Sequence, residues 1–190
     1  MLATILLLGL LAVATATDVA RHKIYNWTVY PGILAALTLN ALGSAAVAAG
    51  WVEGSQLQWH GWVGLADSLA GFAACGAILL AIFVLMKIGG GDVKLMAMIG
   101  AFLGADAGIR AMLWTFVLGG CVGLMALVWR MGPWRLTKTL GRQLLWVFRF
   151  ARPSPLTEEE RKELQPPLFL APSALAAVLI VQLGLAERWM

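Results

Sequence analysis

The chain of 190 residues is 61% hydrophobic and only 13% charged, with a mean hydropathy of +0.82. An ordinary soluble domain is about 45–50% apolar and about 25% charged, so a chain this size cannot bury so much apolar surface in water and needs lipid as part of its solvent. The net charge of +4 does not point to nucleic acid, because the basic residues track the ends of apolar segments instead of forming one patch.

The first apolar run, 2–17, resembles a secretory signal followed by small residues, Ala12-Val13-Ala14-Thr15-Ala16. No Lys or Arg precedes it, so it reads as a retained helix and not a cleaved signal. Five further segments follow, at 29–50, 62–86, 93–109, 111–129 and 168–186, each near the length a spanning helix needs. The expected fold is therefore an all-α integral membrane protein of six transmembrane helices, a single domain over 1–190 without internal repeats.

Orientation follows from the basic residues. Arg21 and Lys23 follow the first span, and Lys87 and Lys94 bracket the turn between the third and fourth. Arg130, Arg135, Lys138, Arg142, Arg149, Arg152, Arg161 and Lys162 fill the loop before the last span. Only Arg110 and Arg188 fall on the other side. Both termini are then expected outside, with three basic loops in the cytoplasm.

Within the long loop 130–167, Leu136, Leu140, Leu144, Val147 and Phe148 alternate with Arg135, Lys138, Arg142 and Arg149 at helical spacing. This predicts a basic amphipathic helix in the membrane interface. After Pro153 and Pro155, Thr157 and Glu160 have the spacing of a capping box, and Pro166-Pro167 ends that short helix. The loop reads equally as a solvated tether or as a substrate-docking element.

Cys75 and Cys121 lie inside apolar runs without a CxxC partner and read as buried structural thiols. His22 and His60 fall on opposite sides of the membrane, so no metal site and no cofactor are expected. No Gly-x-Ser-x-Gly, His-Glu-x-x-His or P-loop is present. The nine tryptophans read as an interfacial belt.

Carboxylates at membrane depth are costly and are functional candidates by default. Asp18, Asp67, Asp92 and Asp106 are such residues. Asp18 ends the first span and Asp92 opens the fourth, both on the cytoplasmic side, whereas Asp67 and Asp106 fall near the outer surface. Only Asp18 and Asp92 can meet without crossing the bilayer. Two facing carboxylates can share one proton and hydrolyse a peptide without metal or nucleophile: the ionised one takes a proton from water while the protonated one polarises the scissile carbonyl. Which aspartate plays which part is open, because such a pair titrates as a unit.

Gly89-Gly90-Gly91 directly precede Asp92, where glycine permits positive φ and close backbone approach. A flexible inter-helix turn is the plainer account of the same glycines. Lys94 is placed either to bias the charge of Asp92 or to anchor at the interface. His22, four residues after Asp18, is a weaker candidate.

These residues resemble the type IV prepilin peptidases, which carry one aspartate at the end of a first helix and a second in a Gly-x-Gly-Asp motif. Gly89-Gly90-Gly91-Asp92 matches that motif, and Val93-Lys94-Leu95 is similar to its continuation. Asp18 followed by Ile24-Tyr25-Asn26 is similar to the family's Asp and Ile-Pro-Asn, with Tyr25 replacing the proline. Phe169-Leu170-Ala171-Pro172 loosely resembles a proline-containing motif opening the last span.

The resemblance implies catalytic Asp18 and Asp92, supported by Gly89, Gly90, Gly91, Lys94 and Asn26, cleaving the leader of prepilins or pseudopilins at the cytoplasmic face of the bacterial inner membrane. It further implies a short, peptidase-only type without a methyltransferase domain, similar to Flp/Tad pilus enzymes. A presenilin-like or signal-peptide-peptidase-like enzyme fits less well, since Thr17 precedes Asp18 and no Pro-Ala-Leu appears. The alternative of another class is a non-catalytic transporter or secretion-assembly component using the aspartates for ions or protons.

Overall fold

The computed structural model describes residues 2–21, 23–58, 61–86, 89–132, 134–135, 137–138, 141–142, 145 and 170–184. Among these there is no strand. The elements are α1 (Leu2–Arg21), α2 (Asn26–Ala48), the short α3 (Gly54–Gln58), α4 (Leu65–Met86), α5 (Gly90–Met131) and α6 (Leu170–Gln182). Four of them, α1, α2, α4 and α5, are long and apolar enough to cross a membrane, and α6 is a shorter apolar helix.

The chain divides into two compact units, Met1–Phe116 with Phe169–Met190, and Val117–Leu168. The first holds the residues of interest. Its core gathers Leu7 and Leu11 of α1, Val29 and Ala36 of α2, Leu79 of α4, Leu95, Met98 and Ile99 of α5, and Ala171, Ala174 and Val178 of α6. In α1 the buried positions are Leu7, Leu11, Ala14 and Asp18, the i, i+4, i+7, i+11 stripe of one helix face. The periodicity that buries three apolar residues therefore carries the carboxylate inward as well. In α2 small residues let neighbours close in: a methyl placed on Gly32 would lie 3.0 Å from Leu10 Cδ1 and 3.2 Å from Met98 Cγ.

The 42-residue α5 is not one rod, because Gly104 has φ 80° and ψ −178°. A methyl placed on Gly108 would lie 2.9 Å from Gly100 Cα. In a continuous helix those two positions stand about 12 Å apart along the axis, so the chain doubles back at Gly104. The two arms, 90–103 and 105–131, replace the expected spans 93–109 and 111–129. The reversal comes at Gly104 and not at Arg110, because only glycine adopts this φ without strain.

A break of this kind strips backbone groups of their helical partners, and side chains from other helices take them up. Asp67 of α4 accepts the Ala105 N–H at 3.1 Å. The Ala101 carbonyl accepts the Ser68 hydroxyl at 2.6 Å and the Asn40 amide at 3.5 Å. Asn40 in turn accepts the Val63 N–H at 3.1 Å. Asp106 pairs with Arg110 one turn along at 2.6 Å.

The second unit contains the end of α5, with Val122, Leu124, Met125 and Trp129 on its surface. Cys121 is exposed there, contrary to the expectation of two buried thiols; only Cys75 is buried. A helix face that needs lipid leaves its thiol outward as readily as a methyl. Residues 134, 135, 137, 138, 141, 142 and 145 are helical, within the predicted interfacial helix. The capping box at Thr157 and Glu160 and the stop at Pro166-Pro167 lie outside the described residues, as do His22 and His60.

Candidate active site

Asp18 sits three residues before the end of α1 and is 8% exposed, the one carboxylate buried among the described residues. Burying a carboxylate is costly unless a donor or an opposite charge meets it. Here the donor is a backbone group: the Ala171 N–H donates to Asp18 Oδ2 at 3.2 Å. Ala171 is the second residue of α6. The first four N–H groups of a helix have no partner within it, and that end carries partial positive charge. The next residue, Pro172, has no N–H to satisfy.

Asp92 lies in the first turn of α5, which begins at Gly90, and its N–H donates to the Gly89 carbonyl at 3.1 Å. A methyl placed on Gly89 would lie 3.0 Å from Asp92 Oδ2, and one on Gly91 would lie 3.1 Å from Ile24 Cβ. Two of the three glycines thus make room, one for the carboxylate and one for the chain leaving α1. None of the three has positive φ, so the conformational freedom expected of them is not used; the close approach is. Among the described residues no donor meets the half-buried Asp92 carboxyl, while the charge of Asp18 acts on it. The structure therefore brings two acids from α1 and α5 within electrostatic reach of each other.

Lys94 and Asn26 also come together. The Lys94 ammonium donates to Asn26 Oδ1 at 3.0 Å and stands 4.9 Å from the centre of the Tyr30 ring. It therefore ties the first arm of α5 to the start of α2, beside the turn where Gly91 meets Ile24. Arg21 donates to the Tyr25 hydroxyl at 3.0 Å, so the tyrosine in place of a proline closes the α1–α2 turn through its side chain.

Sequence reasoning missed two features here. The backbone donor at Ala171 leaves no mark in residue type, although the Leu170-Ala171-Pro172 start of a helix was legible. The hydroxyls of Thr15, one turn before Asp18, and of Thr28 are buried and meet no partner among the described residues. Asp67 and Asp106, the other two acids singled out in the sequence, are occupied at the Gly104 break and its neighbouring turn.

Two carboxylates from separate helices, one met by a helix N-terminus and one that meets no donor among the described residues, have the makings of a proton-sharing acid–base pair. Among curated proteins and among solved structures, nothing matches this chain. The family model for the type IV leader peptidase family matches residues 5–124, a stretch that contains both aspartates. The chain belongs to the type IV leader peptidase family, and with it to the proteases of the membrane.

Proposed function

We propose that the chain is an aspartic endopeptidase that removes the leader of prepilins or pseudopilins, with Asp18 and Asp92 as the catalytic pair. What supports this reading is that two acids 74 positions apart in sequence lie within electrostatic reach of each other, one buried and one half-buried, while Asp67 is engaged by the N–H exposed at the Gly104 break. One carboxylate, ionised, takes a proton from water as the water oxygen attacks the scissile carbonyl. The other, protonated, donates a hydrogen bond to that carbonyl and then protonates the leaving amine. The nearby start of α5 adds favourable field for the charge that develops.

The membrane arrangement belongs to the same proposal. The two arms of α5 together with α1, α2, α4 and α6 supply six apolar segments. The distribution of Lys and Arg puts both termini outside and the aspartates at the cytoplasmic face of the bacterial inner membrane. Gly89 leaves room beside the Asp92 carboxylate and Gly91 beside Ile24, space that suits the close approach of an extended peptide. Lys94 and Asn26 support the site by fixing α5 to α2.

The test is cleavage of a prepilin in membranes carrying Asp18→Asn or Asp92→Asn. Each change is expected to lower the rate by about 10²–10⁴-fold while the protein stays inserted. Normal processing by either variant would move the active site elsewhere and favour ion or proton binding as the role of these acids.

A further inference from the structure

We propose that the Ala171 backbone N–H, at the start of α6, is the positioning group for Asp18, so that the last helix is a working part of the active site. This rests on the aspartic-peptidase reading above. Ala171 lies outside the 5–124 stretch matched by the family.

The side chains around Asp18 leave that N–H as its donor among the described residues. In α1 the Thr17 hydroxyl is spent on the Ala14 carbonyl at 2.9 Å, and Arg21 reaches away to Tyr25. Lys94 is held by Asn26 and Tyr30. Among the described residues, the hydrogen bond that meets Asp18 is the one at 3.2 Å from the Ala171 N–H, and the carboxylate is 8% exposed, so water does not replace it at low cost.

The packing makes the contact stiff. Leu7, Leu11 and Ala14 of α1 share one core with Ala171, Ala174 and Val178 of α6, every one of them 0% exposed. A carboxylate free to rotate presents its oxygens to water in many orientations. One held at Oδ2 by a fixed backbone donor presents Oδ1 in a single direction. Since reaction rates fall steeply with small misplacement of a catalytic group, α6 acts on the chemistry through Asp18 without touching substrate.

The experiment replaces Ala171 by its α-hydroxy analogue, turning one amide into an ester, which deletes the N–H and adds no bulk. The same replacement at Val178, inside α6, removes an ordinary helix hydrogen bond and serves as comparison. Cleavage of a prepilin peptide is followed in membranes, with kcat and KM separated. The ester at 171 is expected to lower kcat about ten- to a hundredfold with KM within about twofold, and the ester at 178 to leave kcat within about twofold. In an Asp18→Asn background the ester at 171 is expected to add nothing further.

A wild-type kcat for the 171 ester, equal losses at 171 and 178, or a further full loss on top of Asp18→Asn would each overturn the proposal. Should the ester fail to fold, Ala171→Pro deletes the same N–H within the first turn of α6, where a proline costs no hydrogen bond inside the helix, and the same outcomes apply. If Asp18→Asn itself cleaves normally, the peptidase reading has failed. If Asp18→Asn is inactive and the 171 ester is not, only the positioning role has.

Discussion

At Gly104 and at Gly89–Gly91, the two ends of one arm of α5, the chain uses the same two residue types, glycine and aspartate, for different purposes. At Gly104 the glycine takes a left-handed φ of 80°, and Asp67 accepts the N–H that the reversal exposes. Every polar group named there has a partner, and the result is a sharp helical turn. At the other end of the arm the glycines keep ordinary φ and serve only as space. Asp92 meets no donor among the described residues, and a second acid, Asp18, lies within electrostatic reach of it. A satisfied aspartate holds a fold together, while an unsatisfied one facing another stores the capacity to move a proton. Asp67 and Asp92 are the same residue type beside glycine, and they differ in the donor that the one has and the other lacks among the described residues.

The largest test of that contrast is in the acids themselves. Asp92→Asn and Asp18→Asn each remove about 10²–10⁴-fold of cleavage, and the double variant is expected to be no slower than the slower single, because a pair that shares a proton acts as a unit. Asp67→Asn is expected to leave the cleavage rate within about threefold and to cost less than about 1 kcal/mol of stability, because the asparagine oxygen still accepts the Ala105 N–H and caps about as well as aspartate. Cleavage assays beside thermal unfolding in detergent read both. A dead Asp67→Asn that unfolds normally would place chemistry at the wrong end of the arm.

How much of this was legible in the sequence follows the same division. The stripe Leu7, Leu11, Ala14, Asp18 is periodic and can be read directly, and so can a helix opening after Gly89-Gly90-Gly91. The reversal at Gly104 could not, since hydropathy measures transfer into lipid and stays high through 100–109 whichever way the backbone turns. The choice between Gly104, Gly108 and Arg110 as the turning point depends on which glycine meets Asp67, a contact between distant helices. Ala171 and Ala105 matter through their N–H groups, and a backbone donor is identical in every residue except proline. Lys94 with Asn26 lies in between: both residue types stand out in the sequence, but their bond across α5 and α2 joins positions 68 apart that only the fold brings together.

Glycine substitutions sharpen the comparison next. Gly104→Ala meets the Asp67 carboxylate and forces a methyl-bearing residue into positive φ, so it is expected to destabilise by about 1–3 kcal/mol or more, read as a lower unfolding temperature. Gly89→Ala puts its methyl 3.0 Å from Asp92 Oδ2 with no φ penalty. It is expected to leave the unfolding temperature nearly unchanged and to slow cleavage by about tenfold, by turning the carboxylate off its line. Equal stability losses at the two glycines would erase the distinction between a conformational and a spatial role.

The smallest expected effect concerns hydroxyls near the pair. Thr17, Thr38 and Thr115 return their O–H to carbonyls one turn back at 2.9, 2.8 and 2.7 Å, the usual way a helical threonine is satisfied. Thr28 is 2% exposed and its hydroxyl meets no partner among the described residues. Valine keeps the branched shape and removes the unmatched group. Leaving a buried hydroxyl unpaired costs about 1–3 kcal/mol, so Thr28→Val is expected to raise stability by up to about 1 kcal/mol and to leave cleavage within about twofold. A tenfold drop in kcat with the fold intact would mean that this hydroxyl meets water or substrate during turnover. Its lack of a partner would then share a cause with that of Asp92, and the boundary between structural and chemical groups would have to be drawn through α2.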